Sequence, residues 1–141
     1  MLQILTSYCI ALATFVIVDL VWLNIAAKEL YRRALQPLLA AQYNVAPAML
    51  FYVTFIAVLI YFVIAPALKK DDLPTALIRA AVLGGICYAT YNLTNFATLR
   101  DWPLSITIID IIWGTVLTVT TTAITLIAMQ SKWIKSHIGK A

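Results

Sequence analysis

Apolar residues along this chain come in four long unbroken runs. They span roughly residues 3–27, 46–68, 75–99 and 103–129. A bilayer-crossing helix needs about 20 mostly apolar residues, and each run meets that length. The fourth run is rich in β-branched residues, but it is continuous. Lipid-facing barrel strands alternate apolar and polar positions, and none of the runs does so. The pattern therefore predicts an all-α membrane protein, a bundle of four transmembrane helices. The first run lacks a basic segment before it and exceeds the apolar core of an ordinary signal peptide, so it is read as a retained helix.

The connections between runs have patterns of their own. Residues 28–45, "KELYRRALQPLLAAQYNV", form the longest. Leu30, Tyr31, Ala34, Leu35, Leu38 and Leu39 recur at helical spacing, with Lys28, Glu29, Arg32, Arg33 and Gln36 opposite. The segment at roughly 28–42 is thus an amphipathic helix, suited to lying on the membrane surface or across the mouth of the bundle. "KKDDLP" makes a charged turn before the third span. In "LRDWP", Asp101 is placed to cap the fourth helix, Pro103 suits its first turn, and Trp102 fits the interfacial aromatic belt. Residues 130–141 read as a polar tail, and residues 1–141 as a single integral membrane domain.

Composition supports the same class. Of 141 residues, 63% are apolar and 11% charged, against about 45–50% and about 25% in soluble domains. The net charge of +4 is spread over loops and termini with no basic stripe, so it argues against nucleic acid as a partner and for membrane lipids. Six Lys and Arg fall on the side of the termini and four on the other. That bias favours cytoplasmic termini in a multi-pass protein of the bacterial inner membrane. Cys9 and Cys87 lie inside apolar runs and read as packing residues. His137, the single histidine, lies in the tail, so a His-based triad and a His-rich metal site are excluded. No cofactor or metal is expected. Tyr61 and Trp133 read as interface anchors.

Polar residues inside the spans carry the functional expectation. At about 1.5 Å per residue, Asp19 lies roughly 12 Å inside the end of the first span. Asn92 and Asp110 lie roughly 10 Å below the same surface, and Tyr52 is at a similar depth. Because the four spans alternate direction, these residues and Asn95 belong to one layer of one leaflet. "VDLVWL" and "IDIIWG" each place a Trp three residues after an Asp, which puts Asp19 with Trp22, and Asp110 with Trp113, on one helical face. Gly84, Tyr88, Asn92 and Asn95 form a stripe on the third helix, and Gly84 with Gly85 allows close approach of a neighbour. The threonines of the fourth span read as packing, their hydroxyls turned to the helix's own carbonyls.

Intramembrane carboxylates cost about 2.5–3.5 kcal/mol each on insertion scales, so they point to function. The expected ligand-binding set is Asp19, Trp22, Tyr52, Tyr88, Asn92, Asn95, Asp110 and Trp113. Hydrogen bonding between helices is the competing use of such residues. No intramembrane Lys or Arg neutralises the pair, so the site calls for a proton or for a cationic or hydroxyl-bearing ligand. A small or amphipathic, lipid-like molecule is the expected partner. Transport through so few helices would require a homodimer. Catalysis is not expected, because no nucleophile–base pair or metal cluster is present. The alternatives are a membrane enzyme or accessory protein of lipid modification, and a structural subunit of a membrane complex.

The stretches "VDLVWLNIAAKELY", "YATYNLTNFATLRDWPL" and "IDIIWGTVL" together resemble the small bacterial membrane proteins grouped as domain of unknown function 2177. The resemblance covers nearly the whole chain. It implies a four-helix inner-membrane protein. Its pattern resembles "YDLTN" where this chain has "YNLTN", so Asn92 stands in place of an acid. It also implies, by association alone, a lipid-linked role.

Overall fold

The computed structural model describes residues 1–39, 42 and 44–131. His137, Trp133 and the tail lysines lie outside the described residues, as does part of the 28–45 connection. Among the described residues the structure is helical and has no strand. Four helices are long and apolar enough to cross a membrane: Leu2–Ile25, Val45–Lys70, Leu73–Thr98 and Leu104–Gln130. Each lies within a few residues of its expected run, because a span's length is set by the bilayer.

Two of the spans are interrupted. Helix α1 (Leu2–Trp22) passes through a π-helical turn, Leu23–Ala27, into the short α2 (Lys28–Leu35). Helix α3 (Val45–Leu59) passes through a second π turn, Ile60–Ile64, into α4 (Ala65–Lys70). Pro66 explains the second interruption. It has no N–H to offer the preceding turn, and the backbone widens so that Ala65 N–H donates to Ile60 instead. Helices α5 (Leu73–Thr98) and α6 (Leu104–Gln130) are continuous. Asp72 caps α5 by accepting from Thr75 N–H at 3.1 Å. The hydrogen bonds from Thr75 hold the Asp72 carboxyl below its usual range.

Hydrophobicity does not decide which face points inward here, because lipid is as apolar as the core. Ile17, Ile78, Val82 and Ile86 are all well exposed. Apart from Phe15, the inward stripes are small or polar instead: Ser7, Ala11, Phe15 and Asp19 on α1, and Ala76, Ala80, Gly84 and Asn92 on α5. Helices α5 and α6 make the most extensive contact in the molecule. Gly84 is what permits it: a Cβ there would come within 2.4 Å of Thr118 Oγ1 and 2.7 Å of the Gly114 carbonyl oxygen. Thr118, Thr122 and Thr125 are fully buried and each donates to the carbonyl four residues back, as expected of packing threonines.

The apolar core centres on Phe15, Ile56, Leu59, Ile64 and Leu117. Phe15 meets Tyr52 edge-on at 5.5 Å and Phe55 at 5.3 Å. The second span leans on the first through α3, while its contact with the third and fourth spans is concentrated in the π turn. The N-terminal half of α3 therefore stands away from α5, and the space between them is the site described next.

Three local expectations need correcting. Asp101 does not cap α6. It adopts a left-handed conformation, φ 61°, and Pro103 takes the cap position with no side-chain bond. Trp102 is not in a lipid-facing belt but is buried, because α2 lies over it. The apolar face of α2 (Leu30, Tyr31, Ala34 and Leu35) packs on Trp102 and Ile106, so that segment spans the bundle mouth. Cys9 is exposed on α1, whereas Cys87 is partly buried.

Candidate functional site

Asp19, Asn92, Asp110 and Tyr52 all lie roughly 9–11 Å inside the ends of their spans, at about 1.5 Å per residue. All four ends face the same side, so one layer holds them. Asp19 accepts from Tyr52 Oη at 2.5 Å and from Trp113 Nε1 at 3.0 Å. This single carboxylate joins the first, second and fourth spans. Asp110 accepts from Asn92 Nδ2 at 2.8 Å and from the Tyr31 hydroxyl. It joins the third and fourth spans to α2. Asn92 is fully buried and also donates to the Tyr88 carbonyl at 3.1 Å.

The two Asp–Trp pairs meet. Trp22 and Trp113 stack with ring centroids 4.4 Å apart and planes 12° from parallel. Tyr88 stands against α6 because residue 114 is glycine: a Cβ there would fall 2.1 Å from the Tyr88 ring. The space left between the N-terminal half of α3 and α5 is a cavity of about 620 Å³. Its polar and aromatic wall comprises Asp19, Asp110, Tyr31, Tyr52, Tyr88 and the tryptophan pair. Its apolar wall is formed by Leu23, Pro47, Ala48, Phe51, Cys87 and Tyr91. Most of the lining is apolar, as in sites for small molecules, which run about 300–1,000 Å³.

Seven of the eight expected residues are thus brought together. Asn92 stands behind Asp110 rather than on the cavity surface, and Asn95 is the exception. It is partly exposed, sits beside Tyr91 and does not line the cavity. Asn95 keeps the direction of the stripe, but it lies roughly 4.5 Å inside the end of α5 where Asn92 lies roughly 9 Å inside, one turn above the layer.

Tyr31 is the residue that sequence reasoning missed as a site member. Its position on the apolar face of α2 was readable, but its target was not. Burial first, and then its bond to the Asp110 carboxylate, push the Tyr31 phenol above its usual range and keep it a donor. The Trp22 indole N–H lies near the Tyr31 hydroxyl but makes no hydrogen bond. Tyr31→Phe should release α2. A hydrogen bond to a charged group is worth about 1.5–3 kcal/mol, so amide exchange over residues 28–35 should quicken roughly tenfold or more. Unchanged protection would mean that the contact with Trp102 and Ile106 alone holds α2 in place.

Among the described residues, no group of three His, Cys, Asp or Glu is placed to hold a metal ion. Among the described residues, no Lys or Arg forms an ion pair with either buried carboxylate; the ion pair found there is Arg33 with Glu29, on the exposed side of α2. The lining is therefore acceptor-rich and carries two acids met by neutral donors.

No curated protein and no solved structure matches the chain. A family model described as "Predicted membrane protein (DUF2177)" matches residues 4–127, which include all four spans but the first two residues of α1 and the last three of α6, and every residue of the cavity. The YNLTN segment and both Asp–Trp pairs lie within the matched residues, and the chain is a member of this family of predicted membrane proteins, domain of unknown function 2177.

Proposed function

We propose that this protein binds a small or amphipathic, lipid-like ligand in the cavity between α3 and α5, within one leaflet of the membrane. The observation that carries the reading is a cavity of about 620 Å³ that combines two intramembrane carboxylates with a mostly apolar, aromatic wall. Such acids are expensive in lipid and mark ligand or ion paths by default. The gap between the spans gives a hydrocarbon chain a way in from the bilayer. Four helices enclose little volume, so translocation would take a homodimer, whereas binding needs one chain. The charge bias supports placement in a bacterial inner membrane with cytoplasmic termini, which a topology reporter at either end tests.

A second reading has an observation of its own. Both carboxylates accept from neighbouring helices, so the layer could serve only to hold the bundle together. Ala48→Trp separates the two, because it fills the cavity from its apolar wall without cutting any of these bonds. Native mass spectrometry of protein purified in a maltoside detergent should show a bound amphipath on the wild type. The Ala48→Trp protein should carry at least roughly fivefold less while melting within a few degrees of wild type. A wild-type protein stripped bare under conditions that retain annular lipid, or equal loading of both proteins, would sink the binding reading.

A further inference from the structure

The site's hydrogen-bond inventory constrains the charge of its ligand. Each carboxylate offers about four lone-pair positions and has two of them filled. The Tyr31, Tyr52, Trp113 and Asn92 donors that reach Asp19 and Asp110 are all spent on them. Asp19 and Asp110 keep a small exposed surface, 6% and 8%, and both line the cavity. A further acceptor, Asn92 Oδ1, is fully buried in the same cluster and has no partner among the described residues. Among the described residues the lining lacks positive charge, and the Trp22 indole N–H is left there as a buried donor without a partner.

The aromatic groups add to this. The stacked Trp22–Trp113 pair and the rings of Tyr31, Tyr52 and Tyr88 present π faces and edges to the same space. An aromatic box beside a carboxylate recognises an ammonium group, since the ring quadrupole attracts a cation and the acid neutralises it. An anionic headgroup would meet two like charges in a medium that screens them poorly. On the opposite wall, Phe51 and Tyr91 are 41% and 48% exposed where α3 stands away from α5, so an apolar chain can leave the cavity there.

We infer that the ligand is an amphipathic organic cation, with its ammonium head between Asp19, Asp110 and the Trp22–Trp113 pair and its hydrocarbon tail leaving between α3 and α5. The inference rests on the binding function proposed above and adds the charge of the ligand to it. A free proton is the competing way to neutralise the acids, and it would leave the site indifferent to the charge of an amphipath.

The test uses three probes with the same twelve-carbon chain: dodecyltrimethylammonium, dodecanol and dodecyl sulfate. Each is titrated below its micelle-forming concentration into the full chain in maltoside micelles, with tryptophan fluorescence and calorimetry as readouts. The ammonium should bind at least roughly tenfold more tightly than the alcohol, and the sulfate more weakly than either. In the Asp19→Asn/Asp110→Asn double variant the ammonium and the alcohol should converge. Asn keeps the shape and one acceptor oxygen, and a thermal melt followed by circular dichroism checks that the bundle persists. Equal binding of ammonium and alcohol to the wild type would overturn the cationic assignment and leave the pocket standing. So would an ammonium preference that survives in the folded double variant. If none of the three probes binds, the pocket itself falls. The comparison among probes on the wild type stands even where the double variant does not fold.

Discussion

Gly84→Ala should lower the thermal stability of the bundle, and no change elsewhere in the site should restore it. The added Cβ would meet the Gly114 carbonyl oxygen at 2.7 Å and the Thr118 side chain at 2.4 Å. A backbone carbonyl cannot rotate away, so α5 and α6 must separate. Overpacking of this kind costs about 1–3 kcal/mol, occasionally more. Gly114→Ala should be comparably harmful for a different reason, because its Cβ would strike the Tyr88 ring at 2.1–2.5 Å. A double-mutant cycle tells the two apart. In a Tyr88→Ala background, Gly114→Ala should cost almost nothing, while Gly84→Ala should cost what it did before. If Gly114→Ala is as damaging without the Tyr88 ring as with it, the glycine does not make room for that ring.

The same geometry shows why some of this fold was legible in the sequence. Span length is a property of the bilayer, so four apolar runs are four helices almost wherever their boundaries are drawn. The layer was legible too. Asp19, Asn92 and Asp110 stand at similar distances from their span ends, and antiparallel topology brings those ends to one side. The Trp three residues after each Asp placed the indoles on the carboxylate faces, and the two rings stack. Gly84 announced a close helix contact, and it makes one with α6.

What could not be read was the partner of each surface. An amphipathic segment has the same pattern whether its apolar face lies on lipid or on protein. Only the fold shows that Leu35 and its neighbours rest on Trp102 and Ile106. With α2 in that place, Trp102 loses its membrane-facing role and Tyr31 gains Asp110. A pocket at this layer was expected, but its apolar wall was not, because that depends on α3 standing away from α5 while Pro66 and its π turn keep contact lower down. Asn95 was misplaced for a simpler reason: it shares the direction of the stripe but sits one turn nearer the end of α5 than Asn92.

Asp19→Leu should be among the most destabilising single changes in the site, and the reason lies in what it leaves behind. Tyr52 Oη and Trp113 Nε1 both donate to this carboxylate. Without it, two donors are left unpaired, at about 1–3 kcal/mol each. The total should fall in the lower part of that doubled range, about 2–4 kcal/mol, because unfolded helices in lipid also find partners. The triple variant Asp19→Leu/Tyr52→Phe/Trp113→Phe removes the donors along with the acceptor. Replacing a buried polar group and all its partners with apolar side chains is often neutral or stabilising, so the triple variant should recover most of the lost melting temperature. It should nevertheless lose its bound amphipath. That combination would mean that stability does not require an acid at position 19 and that the acid is kept for what enters the cavity. A triple variant as unstable as Asp19→Leu alone would instead make the polar layer the structural bond between the first, second and fourth spans.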